Sequence, residues 1–87
     1  MMKCVPARLR PGQLVIVEWL DASGGELARG DHLAPVHVRT VGWVWERKTL
    51  ALTIYSEEFL DGHVEGGARE AMTIHAQMLR KVRVISD

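Results

Sequence analysis

Val36-His37-Val38-Arg39-Thr40-Val41-Gly42-Trp43-Val44-Trp45-Glu46-Arg47 is the stretch on which the fold turns. Valines, a threonine and two tryptophans fill it, no proline interrupts it, and polar Lys48 follows, so it predicts a strand. In residues 49–56, Leu50, Leu52 and Ile54 alternate with Ala51, Thr53 and Tyr55, which predicts a second strand. The tight polar turn at Arg47-Lys48 makes the two an antiparallel hairpin.

The same reading extends outward in both directions. Pro11-Gly12 predicts a turn, and residues 13–20 a strand that is apolar on both faces and therefore covered on both. Residues 21–35 form a long loop, with a tight turn at Ser23-Gly24-Gly25 and an extended residue before Pro35; a brief helical turn over 25–28 is the alternative. Residues 57–67 are an acidic loop, with a helical turn over 57–60 as its alternative. Residues 68–75 make a fourth strand with Met72 and Ile74 inward, and 76–79 a 3₁₀ turn. Residues 80–86 make a last strand, with Val82 and Val84 on one face and Ile85 on the other.

This layout predicts an all-β fold, a small five-stranded SH3-like antiparallel barrel with one short helical turn before the last strand. Closing the sheet would remove the exposed edges that loose strands present; an open sheet or partly open barrel is the structural alternative. Residues 11–87 are expected to form the single domain. Residues 1–10 are expected to be a flexible basic N-terminal arm carrying Lys3, Arg8 and Arg10.

A chain of 87 residues buries a modest share of its surface. Cys4 is the single cysteine, so no disulfide forms within the chain; a cytoplasmic setting is expected, and a homo-oligomer is the remaining common reinforcement. The start lacks the apolar core of a signal peptide, and no run approaches the roughly 18 apolar residues of a membrane helix. Eleven basic and eleven acidic residues cancel, which weighs against duplex nucleic acid as a partner. The charges cluster all the same: residues 57–70 are acidic, and Arg80, Lys81 and Arg83 are basic.

Trp43 and Trp45 are two apart and share a face of a regular strand. If the strand is regular, Val36, Val38, Thr40 and Val44 face the core, and both tryptophans lie outside with Arg39 and His37. That outer face would be an aromatic-basic patch, an oligomer seam or a binding surface. If Gly42 marks a bulge, the facing switches and the tryptophans enter the core. Trp19 belongs with Val15 and Val17 in the core. Asp21 is a turn-capping residue or, alternatively, a functional carboxylate.

His32, His37, His63 and His75, with Asp31 and Cys4, match no metal-ligand spacing, so no metal or other cofactor is expected. Ser23, Ser56 and Ser86 lack a nucleophile elbow, and no phosphate-binding or dinucleotide fingerprint occurs. Glu57 and Glu58 are adjacent loop acids that do not face each other. The chain is therefore expected not to be an enzyme.

Three stretches carry a resemblance: Val17-Glu18-Trp19-Leu20-Asp21-Ala22, Val38-Arg39-Thr40-Val41-Gly42-Trp43-Val44, and the spaced Ile74, Leu79 and Val82. Together they resemble short uncharacterised proteins of phages and prophages, which carry V-x-W-x-D-A, T-V-G-[WY] and I-P-x-x-x-I-x-x-[IV] segments. This chain departs in having His75 where a proline is usual, and in a longer acidic loop. The resemblance implies a phage or prophage origin, hence a host-cell cytoplasmic setting, and a small β domain. It assigns no catalytic residue.

The function expected from these readings is a non-enzymatic binding module, with Trp43, Trp45, Arg39, Tyr55, Asp21 and His37 as candidate contacts. Its partner would be a host protein, as in counter-defence, or a small nucleotide signal. Capturing a nucleotide would need a homo-oligomer, bases stacked on Trp or Tyr55, and phosphates held by Arg39, Arg69 or Arg80. The alternatives are a structural or assembly protein of a phage particle, and a small barrel that binds single-stranded nucleic acid.

Overall fold

In the computed structural model, residues 2–21, 36–60 and 67–87 are described. The Ser23-Gly24-Gly25 turn, Pro35, His32 and His63 lie outside them. The described chain is all-β: β1 (Leu14–Asp21), β2 (Val36–Arg47), β3 (Ala51–Glu58), β4 (Ala68–His75), a 3₁₀ turn (Ala76–Met78) and β5 (Leu79–Ser86). The five strands form one sheet in the order β4-β3-β2-β1-β5, and every pairing is antiparallel. β4 and β5 are its two edges, and among the described residues no pairing joins them, so the sheet is not closed.

Alternation assigns the faces. Val15 and Val17 of β1 oppose Gly42 and Thr40 of β2 and Val84 and Val82 of β5. With Val44, Leu52, Ile54, Ile74, Ala76 and Leu79, the valines of β1 make the core. Trp19 packs against this core as expected, and its indole N–H donates to Thr40 Oγ1 at 2.9 Å, so the one polar atom of the ring is satisfied. Val36 keeps to the core-side face with Val38 and Thr40 as expected, but it is half exposed, because it lies at the far end of β2 beyond the packed region. Met72 faces inward opposite Ile54 as expected but stays 36% exposed on the edge strand, whereas Ile74, opposite Leu52, is buried.

Residues 2–10 are packed on the sheet, where a flexible arm was expected. Val5 is fully buried and Leu9 is 3% exposed, both within the same core as β1. Backbone and side chains hold the segment across the sheet. The Val5 amide donates to the Thr49 carbonyl, Arg47 donates to the carbonyls of Pro6 and Val5, and Arg8 reaches the carbonyl of Val82. A flexible arm would leave Val5 and Leu9 in water; their burial removes that apolar area from solvent.

Pro11-Gly12 forms the expected turn. Gly12 has φ of 90°, the conformation that a proline-glycine turn demands at its third position, and the Gln13 amide closes the turn on Arg10. Gln13, the one buried polar residue in the described core, is satisfied by the Arg10 amide and the Asp87 carboxylate, which ties the two ends of the chain together.

β3 begins at Ala51 rather than 49, because the Lys48 amide bonds the Ala51 carbonyl and leaves Leu50 exposed in the turn. β3 continues to Glu58, so residues 57–58 are strand and not the start of a helical turn. The 3₁₀ turn is capped by His75, whose Nδ1 accepts from the Gln77 amide at 3.1 Å, and the Ala76 amide bonds the Leu50 carbonyl.

Candidate functional site

Gly42 is where the facing of the tryptophans is decided. It pairs in register with Val15, with no slip at that point, so it is not a bulge. Its side faces inward against β3: a Cβ there would lie 2.8 Å from the Tyr55 carbonyl oxygen. The glycine is required by close backbone approach. The irregularity falls three residues later, where the β2–β3 register shifts between Val44 and Glu46 and leaves Trp45 as the extra residue.

Trp43 and Trp45 therefore lie on the outer face, and Tyr55 lies between them. Trp43 stacks on the Tyr55 ring at 5.8 Å and 30°, while Trp45 meets the same ring edge-on at 5.7 Å and 88°. Offset and T-shaped contacts of this kind suit the quadrupoles of the rings. Tyr55 was expected as a surface for stacking a ligand, but it is 8% exposed, covered by the two indoles. It serves as their support. Its hydroxyl donates to Glu58 Oε1 at 3.4 Å, and burial, with the Glu58 charge and hydrogen bond, raises its pKa above 10. Trp45 is the accessible member of the trio, at 49% exposed.

The other candidates divide between the two faces. His37 and Arg39 oppose Leu20 and Glu18 and share the outer face with Trp43. Asp21 opposes Val36 and falls on the side of Trp19 and Val38, so it does not join the tryptophans. Arg39 holds Glu18 at 3.3 Å and remains largely exposed. Arg69 is engaged by Glu57 at 2.8 Å and lies over the Phe59 ring, and Arg80 turns back to the carbonyls of Gln77 and Leu79.

Two residues at this face escaped the reading of the sequence. β5 pairs with β1 so that Lys81 opposes Glu18 and Arg83 opposes Ile16. The outer face is thus a grid of rows: Lys81-Glu18-Arg39, then Arg83-Ile16-Val41, then Leu14-Trp43-Tyr55. Ile16, Glu18, Arg39, Lys81 and Arg83 line a shallow groove of about 160 Å³. The alternation of Lys81 and Arg83 with Val82 was visible in the sequence; what it could not show is that β5 lies beside β1.

The comparisons with known proteins give no relative. No family model, no curated protein and no solved structure matches this chain. The chemistry of the face rests on its own residues. Lys81, Glu18 and Arg39 stand in the row on one side of Val41, Arg83 shares its row across Ile16, and the aromatic trio stands on the other side. Among the described residues, no group of three His, Cys, Asp or Glu side chains is placed to hold a metal ion.

Proposed function

We propose that this chain is a small non-enzymatic binding module, SH3-like in layout, that acts by occupying a partner with the outer face of β2. The SH3-like part of the reading is supported by the strand order, a four-strand meander whose fifth strand returns beside the first after a 3₁₀ turn.

The observation that carries the binding role is the exposure of Trp45 on a rigid support. An indole that merely fills a core is withdrawn from water; this one is half exposed, held edge-on by a buried tyrosine, and continued along the strand by Val41, also half exposed. Aromatic anchors fixed on a sheet contribute disproportionately to binding, because little conformational freedom is lost when they are covered. The resemblance to phage and prophage proteins gives the reading a setting, in which the module would occupy a host component or its nucleotide signal.

The test is a parallel pull-down from cell extract with the native chain and with Trp45→Ala, read for proteins, nucleic acids and released small molecules. A partner retained by the native chain and lost with Trp45→Ala is the expected result. Equal retention of every partner by both proteins would dismiss the outer face as the site.

A further inference from the structure

The cations of this chain are not spread as its zero net charge suggests. Arg39 comes from β2, and Lys81 and Arg83 come from β5, yet the pairing of both strands with β1 brings all three around Ile16. Glu18 is the one carboxylate lining the groove, and it is held by Arg39. Lys81 and Arg83 have no side-chain partner among the described residues. From this cluster the outer face of β2 runs through Val41 to Trp43 and Trp45. Rows on one face of a strand are about 6.7 Å apart, so Arg39 and Trp45, six residues apart, are separated by about 20 Å.

We propose that this face binds single-stranded nucleic acid, with unpaired bases stacked on the Trp45 and Trp43 end and the phosphates of neighbouring nucleotides on Arg39, Lys81 and Arg83. The inference deepens the binding-module reading and rests on it. Each nucleotide offers a flat apolar ring beside an anion, the pairing that this face presents in reverse. An acidic peptide would match the cations and leave the indoles uncovered. A duplex keeps its bases stacked on one another, so it could engage the cations but not Trp45.

The experiment is fluorescence anisotropy with a labelled oligothymidine of about 20 nucleotides at low ionic strength, followed by a salt titration. The expected result is saturable binding that weakens with salt, with a log–log slope of about −2 if three phosphates are engaged. Trp45→Ala should weaken binding at least about five-fold without altering that slope, and Trp45→Phe should restore most of it. Arg83→Glu should weaken binding and make the slope shallower by about 0.7 or more. Both substituted positions are exposed, and circular dichroism checks that each variant is folded. No binding at low salt overturns the inference, as does binding that neither substitution alters, or equal affinity for the matching duplex. If the oligonucleotide fails to bind while a Trp45-dependent partner is captured from extract, the nucleic-acid inference falls and the binding-module reading stands.

Discussion

The α-carbon of Gly42 lies so close to the backbone of β3 that a methyl group on it would meet the Tyr55 carbonyl oxygen at 2.8 Å. This one contact links the two halves of the outer face. It lets β2 lie close against β3, its neighbour in the sheet, while the Tyr55 ring on the outer face supports Trp43 and Trp45.

Gly42→Ala should therefore destabilise the fold by overpacking, because the atom in the way is backbone and cannot rotate aside. A loss of about 1–3 kcal/mol is expected, lowering Tm by roughly 4–8 °C for each kcal/mol. Thermal unfolding followed by circular dichroism measures it. An unchanged Tm would mean that the strands separate at no cost.

Leu9 provides a test of the N-terminal segment. Were residues 1–10 a free arm, Leu9→Ala would leave stability unaltered. Packed in the core, its truncation should cost about 2–4 kcal/mol in urea unfolding. The Val5 amide, bonded to the Thr49 carbonyl, should exchange its hydrogen as slowly as the amides of β1.

Tyr55 makes stability depend on alkaline pH. Its pKa in the folded chain is raised above 10, first by burial and then by Glu58. The unfolded chain releases the proton at lower pH than the folded one. The contribution of Tyr55 is therefore complete below pH 10 and is lost as pH rises through the folded pKa. Urea midpoints measured from pH 8 to about pH 11 should fall more steeply for the native chain than for Tyr55→Phe. Because Tyr55 is the single tyrosine, its phenolate absorbance reports the same titration directly.

Glu70 adopts φ of 56° within β4, a left-handed conformation that costs an L-residue about 1–2 kcal/mol. Glycine escapes that cost but loses more freedom on folding, by about 0.5–1 kcal/mol. Glu70→Gly should raise stability by up to about 1 kcal/mol, whereas β-branched Glu70→Val should lower it. Paired urea titrations decide the sign.

Much of this architecture was legible along the chain because its causes are local. A short apolar run marked β1, β-branched and alternating runs marked the later strands, Pro11-Gly12 marked a turn whose glycine has positive φ, and the polar step at Arg47-Lys48 marked the hairpin. Alternation offered the outward facing of Trp43 beside His37 and Arg39 as one of two alternatives; Trp45, the extra residue at the β2–β3 register shift, is placed on that face by its contact with Tyr55.

The tertiary structure decided what depends on residues distant in sequence. Nothing local to Val5 and Leu9 shows that β-sheet waits to cover them; that follows from bonds to Thr49, Arg47 and Val82. Nothing local to Tyr55 shows that two indoles will bury it on the outer face. Lys81 and Arg83 looked like solvated charge until the pairing of β5 with β1 set them across from Glu18 and Ile16. By itself the sequence determined the strands and their hairpin, since each is set by neighbours within a few residues, whereas the facing of Trp43 and Trp45 stayed open until the pairing of Gly42 with Val15 showed that no bulge falls there. Which side chains share a face, and so whether aromatics and cations make one surface, was decided by strand pairing alone, because a sheet joins residues by register and not by proximity along the chain.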